Sequence, residues 1–137
     1  MCKLGDIIVV NRYVGDDGKN INKHSFVVIN DKSGFIEGLH YDFISNVMSS
    51  FKSEKHRIKK LNFEENVEIF ANQVISNIDK NSKSGFIKAD QLIYFDKNRI
   101  DYYVFGHISD ELLGELAMII VSLSRKGLLK QNIYNLK

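Results

Sequence analysis

Short apolar segments separated by polar breaks make up most of the chain, and their alternation or β-branched content is typical of strands. Turn-forming Gly, Asp and Asn follow the first segment, in GDDGKN. Five segments are predicted as strands on this basis: DIIVVNRYV, HSFVVIND, YDFISNVMS, FIKADQLIYF and DYYVFGHI. A sixth, HRIKKLNF, is expected to be a short, charged strand at a sheet edge, where lysine and arginine discourage pairing with another sheet.

Apolar residues recur at helical spacing in two further places. Between residues 64 and 79 an acidic first turn precedes one apolar face, so we expect an inserted helix there. The second stretch lies near the end of the chain, where Ser109 is a suitable N-cap and Gly127 a suitable C-cap for a terminal helix. Several short strands with two helices predict a mainly β, α+β fold: a small antiparallel barrel with helices packed on it, in one domain over residues 1–137.

Composition narrows the class of protein without choosing its function. The chain has 137 residues, of which 44% are hydrophobic and 26% charged, as in ordinary globular domains. Its single cysteine, Cys2, has no partner for an internal disulfide and no Cys/His ligand cluster around it, which favours a reducing cytoplasm and no metal. No apolar run is long enough for a signal peptide or a membrane span. The net charge of +2 permits nucleic-acid binding without requiring it.

A family resemblance extends over both ends of the chain. LGDIIVVN, a glycine-rich loop and KHSFVVIND resemble the opening of the MazF/PemK (Kid-like) toxin family. IKADQLIYFDKNRI and GHISDELLGELAMIIVSL are similar to the family's later segments, which leaves about residues 52–83 without a counterpart. The resemblance implies an SH3-like barrel that forms a homodimer and acts as the toxin of a toxin–antitoxin system. It also implies an mRNA interferase that cleaves single-stranded RNA without a cofactor, held in check by a protein antitoxin or, as in ToxN-type systems, an RNA.

Metal-free RNA cleavage uses the 2′-hydroxyl as nucleophile, so the protein must supply a base, an acid and positive charge for the phosphate. His24 is suited to proton transfer because histidine titrates near neutral pH. The sequence Ser49-Ser50-Phe51-Lys52 resembles the Ser-Ser-x-Lys cluster at the active site of ToxN-type toxins. Its hydroxyls can donate hydrogen bonds to phosphate oxygens. We therefore predict His24, Ser49, Ser50 and Lys52 as catalytic.

Three further residues are predicted to bind the substrate. The family's catalytic arginine, commonly followed by proline, aligns with Lys23 and His24, and lysine keeps the charge but loses the bidentate fork. The basic residue and aspartate that carry catalysis in Kid-like members map onto Lys88 and Asp90. The chain departs from the family pattern in this segment, because Ile93 stands where the family has an arginine.

Each of these residues also has an ordinary structural interpretation. A Ser-Ser pair after a strand is commonly a turn, His24 can be a hydrogen-bonded residue at a barrel rim, and Lys88 can be a solvated strand residue. Two alternative functions stay open: a barrel of the same fold that inhibits DNA gyrase by binding it, and an RNA-binding regulatory module. Alanine at His24, Ser50 and Lys52 would abolish the effect of a nuclease and leave that of a binding module.

Overall fold

The computed structural model describes residues 3–14, 20–30, 44–76, 85–95 and 101–134. Within these ranges lie eight strands, two α-helices and one short 3₁₀ turn at Ala71–Gln73. The strands are β1 Asp6–Val14, β2 Asn20–Asn30, β3 Ile44–Ser50, β4 Asn66–Ile69, β5 Val74–Ser76, β6 Gly85–Phe95, β7 Asp101–Ile108 and β8 Lys130–Tyr134. The helices are α1 Glu54–Leu61 and α2 Asp110–Arg125.

One sheet holds all eight strands, in the order β4-β6-β3-β2-β1-β7-β5. Every neighbour on this path is antiparallel. The exception is β8, which pairs with β6 in parallel, on the half of β6 that β4 leaves uncovered. The predicted mainly β, α+β architecture is therefore confirmed, with one parallel strand that the sequence did not indicate.

The sheet is curled because its two outermost strands are neighbours along the chain. β4 ends at Ile69 and β5 begins at Val74, a link of four residues whose five Cα–Cα steps span at most about 18 Å. Seven strands laid flat would put these edges about 29 Å apart, at roughly 4.8 Å per strand. The sheet therefore bends into a half-barrel that brings both edges toward the short link.

Helix α2 packs on one face of this half-barrel and closes its main core. Its buried side chains recur at helical spacing: Leu112, Leu116, Ile120 and Leu123. They cluster with buried residues of the sheet, among them Val27, Ile29, Ile87 and Leu92. The helix is bounded as its sequence predicts. Ser109 Oγ accepts the Leu112 amide at 3.2 Å, and Gly127 adopts a φ of 69° just after the C-cap.

Two predicted elements are wrong. The segment expected as the charged strand HRIKKLNF lies mostly in α1, because Ser53 caps a run of helix-forming Glu, Lys, Arg and Leu residues. The segment expected as a helix at 64–79 forms β4, the 3₁₀ turn and β5. Val67 and Ile69 are buried in alternation, which is the period of a strand, while Phe70 is 49% exposed. Residues 77–79 of that prediction lie outside the described residues.

The other predicted strands are confirmed: β1 and β7 have the predicted bounds, and β6 begins one residue earlier than predicted. β2 begins at Asn20, ahead of the predicted start, and β3 extends one residue past the predicted end, to Ser50. Residue 31 of the second predicted strand and residues 41–43 of the third lie outside the described residues. The predicted turn near DKNR lies outside the described residues. Neither helix in the described ranges has the length and apolar character needed to cross a bilayer.

Candidate functional site

The sheet face opposite α2 collects several of the predicted site residues. Residues that pair across neighbouring strands share a face, as do residues two apart in one strand. Phe26 pairs with Val47, and Val47 with Lys88. His24, two residues from Phe26, and Ser49, two residues from Val47, therefore join Lys88 on this face. We call His24, Ser49 and Lys88 the site triad.

The triad crosses three neighbouring strands. His24 lies on β2, Ser49 on β3 and Lys88 on β6, so the histidine and the lysine flank the central strand. Lys88 pairs with Val47 rather than with Ser49, so two strand spacings and an offset of two residues along the strands put the backbones of His24 and Lys88 roughly 12 Å apart. That gap leaves room for a phosphate over Ser49, with a nitrogen base on one side and an ammonium group on the other.

His24 is half-buried, and its ring meets that of Phe26 edge-on with 5.5 Å between centroids. Partial burial lowers the pKa of His24, and the positive charge of Lys88 lowers it further. The imidazole is therefore favoured in its neutral form near pH 7. A neutral imidazole is the form that accepts a proton.

Lys88 is half-buried as well, and burial lowers its pKa. The charge of Lys60 acts in the same direction, while the carboxylate of Asp90 opposes both. An ammonium with a lowered pKa is a better proton donor than an ordinary lysine. Asp90 is buried, at 7% exposure, two residues further along β6. The structure thus brings Lys88 near its predicted partner Asp90 and near His24.

Helix α1 lies along the edge of the triad, held on β4 by an ion pair. Arg57 donates through Nε and Nη2 to the two carboxylate oxygens of Glu68, at 2.7 and 3.2 Å. At the other end of the helix, Asn66 Nδ2 donates to the Lys60 carbonyl oxygen at 2.8 Å, and Asn66 pairs with Lys88 in the sheet. The C-terminal turn of α1 therefore lies beside Lys88.

The start of α1 lies beside the opposite end of the triad. Phe51 stacks on Phe86, with centroids 5.2 Å apart, and Phe86 pairs with Ser49. The amide of Lys52 donates to His56 Nδ1 at 3.1 Å, while the His56 amide donates to the N-cap oxygen of Ser53 at 3.1 Å. The arrangement resembles a capping box, but histidine stands in the place of the usual glutamate or glutamine, and it accepts from the amide of the residue before the N-cap.

The remaining predicted residues are placed as follows. Lys52 is exposed, directly before the N-cap of α1. Ser50 pairs with Gly85 at the end of β3, and Lys23 lies in β2, but both side chains lie outside the described residues. The Ser-Ser-x-Lys segment therefore combines a strand end with a helix start, so that Ser49 belongs to the triad and Lys52 to the helix cap.

Sequence reasoning missed Lys60 and His56, because their segment was interpreted as a strand. Partial burial lowers the pKa of His56, and the charges of Lys60, Lys52 and Lys59 add to that effect. Lys60, in the last turn of α1, lowers the pKa of Lys88 too, so its charge lies near both Lys88 and His56. The spacing of Lys52, His56 and Lys60, four residues apart each time, is the signal that indicates one basic helical face.

Comparisons of the chain with protein-family models, with curated proteins and with solved structures find no match. The resemblance to the MazF/PemK family therefore stays a prediction, and so do the roles transferred from it. The proposed chemistry depends instead on the geometry of the triad and of α1.

Proposed function

We propose that the protein is a metal-independent endoribonuclease that cleaves single-stranded RNA at the site triad. The observation that carries this proposal is the placement of His24 and Lys88 on either side of Ser49, on one face of the sheet. Cleavage by a 2′-hydroxyl needs a base and an acid on opposite sides of the phosphorus, because the attacking and leaving oxygens lie roughly in line.

In the proposed reaction, neutral His24 takes the proton of the 2′-hydroxyl, and the 2′-oxygen attacks the phosphorus. The bond from phosphorus to the 5′-oxygen breaks, and the Lys88 ammonium gives its proton to that leaving oxygen. The products are a 2′,3′-cyclic phosphate and a free 5′-hydroxyl. Ser49 lies between the two groups, where its hydroxyl can donate to a phosphate oxygen.

The basic face of α1 supports RNA as the substrate. Lys60 continues the positive charge of Lys88, and exposed Lys52 extends it toward the start of the helix, where His56, whose pKa is lowered, is neutral near pH 7 and can donate or accept a hydrogen bond. A path of separate positive charges suits a chain of phosphates better than a single small anion. The family resemblance adds a biological setting to this proposal, namely a cytoplasmic toxin that forms a homodimer and is blocked by a cognate antitoxin.

The test is incubation of the purified protein with a long single-stranded RNA in EDTA, after absence of a bound antitoxin has been checked by mass spectrometry and ultraviolet absorbance. We expect cuts at discrete positions with cyclic phosphate ends. His24→Ala and Lys88→Ala should each lower the cleavage rate by about 10²-fold or more, the usual range for a general acid or base. Lys55→Ala is the matched control, since Lys55 is exposed on α1 and does not share the four-residue spacing of Lys52, His56 and Lys60.

A substrate with a single 2′-deoxy nucleotide at the cleaved position distinguishes this reaction from hydrolysis by water. That RNA should still bind and should stay intact at the modified position. Binding of RNA by the wild type with no cleavage in any condition would overturn the nuclease and favour a regulatory RNA-binding module. Absence of both binding and cleavage would remove RNA as the partner.

A further inference from the structure

Strand β6 carries an unusual bulge next to the triad. Asn46 and Val47 are consecutive in β3, yet they pair with Leu92 and Lys88 of β6. Residues 89–91 of β6 thus have no counterpart in β3 and form a bulge of three extra residues. Bulges of this kind bend a strand and redirect its side chains. Lys88 is the residue directly before this bulge, and Asp90 lies within it.

The bulge is fastened from the core side by one side chain. Asn46 is fully buried, and its Nδ2 donates to the carbonyl oxygens of Lys88, Ala89 and Gln91 at 3.1, 3.4 and 2.9 Å. Its Oδ1, by contrast, has no hydrogen-bond partner among the described residues. Burial of an unpaired acceptor is destabilising. An orientation with Oδ1 toward the three carbonyls would be worse, so the amide nitrogen must face the bulge.

A second contact fixes the bulge from the opposite edge. The Ala89 amide donates to the Glu65 carbonyl oxygen at 2.7 Å, just where β6 changes its partner from β4 to β8. The bulge is therefore a corner of the half-barrel held on both sides. Of the two contacts, the one from Asn46 reaches three of the four carbonyls between Lys88 and Gln91.

We infer that Asn46 is a positioning residue of the proposed nuclease: its side-chain amide fixes the 88–91 bulge and so sets the direction in which Lys88 and Asp90 leave β6. That Asn46 acts in catalysis rests on the proposed function. That Asn46 fixes the position of Lys88 relative to His24 does not, and this can be measured without RNA.

The test compares Asn46→Ala and Asn46→Ser with Ser45→Ala. Ser45 is the matched control because it is the neighbouring residue of β3, fully buried, and donates from Oγ to the Ile93 carbonyl oxygen of β6 at 3.4 Å, outside the bulge. We expect the Asn46 variants to lose about 10-fold to 100-fold in kcat with KM changed less than about 3-fold, as for a misplaced catalytic group. Ser45→Ala should keep both constants.

Nuclear magnetic resonance titration of His24 supplies the readout that needs no substrate. In the wild type, Lys88 lowers the pKa of His24. The Asn46 variants should move this pKa toward that of the Lys88→Met variant, and Ser45→Ala should leave it at the wild-type value. Folded Asn46 variants with an unchanged His24 pKa and unchanged kcat would overturn the inference.

A wild-type measurement covers the case in which the Asn46 variants do not fold. The side-chain NH₂ of Asn46 should exchange with solvent far more slowly than that of exposed Asn62. Equal exchange rates would overturn the inference. Failure of the proposed function gives a different pattern: no cleavage by the wild type, with the His24 titration and the slow Asn46 exchange both as expected.

Discussion

Arg57 donates hydrogen bonds to both carboxylate oxygens of Glu68, and this ion pair holds helix α1 beside the proposed site. The two hydrogen bonds measure 2.7 and 3.2 Å, and a third from Arg57 Nη1 reaches Glu54 at 3.0 Å. No residue of α1 is fully buried, so its position depends on such polar contacts. The hydrogen bonds to Glu68 and Glu54 raise the pKa of Arg57, which keeps it charged at any useful pH.

Replacing Arg57 by lysine should loosen α1, because lysine cannot form the bidentate pair. We expect faster amide hydrogen exchange over residues 54–61, measured by mass spectrometry, with little change in α2. Arg125→Lys, at an exposed position in the last turn of α2, is the control for the same chemical change. Unchanged exchange over α1 in Arg57→Lys would show that the ion pair does not hold the helix.

Acidification should destabilise the protein through His24 and His56. The pKa of each is lowered in the folded state, so the unfolded chain takes up protons first as the pH falls below about 6.5. The stabilisation from the two neutral imidazoles is thus complete above that pH and is lost below it. Urea unfolding at a series of pH values between 5 and 8 should show this decline.

The His56 share of that decline can be separated by His56→Gln. Glutamine keeps a side-chain acceptor for a backbone amide at the start of α1 but does not titrate. We expect a shallower loss of stability on acidification, and a still shallower one in the double variant with His24→Gln. A pH dependence identical to that of the wild type in both variants would contradict the assignment.

Lys60→Ala should weaken RNA binding and report on the basic face of α1. Loss of one phosphate contact lowers the slope of log K against log salt by about 0.7 for a single strand. Lys55→Ala, which changes the same residue type on the same helix, should leave the slope nearly unchanged. Equal slopes for the two variants, measured by fluorescence anisotropy, would place the RNA elsewhere on the surface.

Two glycines, one inside α2 and one just after it, should respond to alanine with opposite signs. Gly127 has a φ of 69° and forms the end of the helix, where its amide donates to Ser124 and the Leu128 amide to Leu123. Gly127→Ala should cost about 1–2 kcal/mol in unfolding free energy. Gly114 lies exposed inside the helix, where an added methyl group would meet open space. Gly114→Ala should therefore add about 0.5–1 kcal/mol.

Chemical denaturation of both variants, compared with the wild type, measures the change in unfolding free energy and tests this prediction. A stabilising Gly127→Ala would mean that the left-handed cap is absent in solution. A destabilising Gly114→Ala would mean that another surface lies closer to the helix than in the isolated chain.

Local sequence patterns determined the elements that carry their own signals. Strands β1 and β6 alternate or are rich in β-branched residues, and α2 has an N-cap at Ser109, a regular apolar face and Gly127 after its end. These features act over a few residues, so they can be recognised without knowledge of the rest of the chain. The family resemblance likewise predicts His24, Ser49 and Lys88 as candidate site residues from residue type and order alone.

Tertiary structure alone decided the elements whose patterns are ambiguous. The segment at 64–79 contains apolar residues that fit a helix, yet Val67 and Ile69 are buried because β4 pairs with β6 in the sheet. Helix α1 has little apolar surface and depends on Glu68 for its position, and β8 becomes a strand through its pairing with β6. Pairing between distant segments overrides weak local preference in each case.

Pairing between distant segments also decides which residues of the candidate site face one another. The residue types of a base, an acid and a phosphate ligand can be read from the sequence, but not which of them face one another. That depends on the register of β2, β3 and β6, since a shift by one residue would turn His24 or Lys88 to the opposite face. The sequence determined which groups the protein has for chemistry. Strand register, the bulge held by Asn46 and the anchoring of α1 on β4 decided where those groups meet.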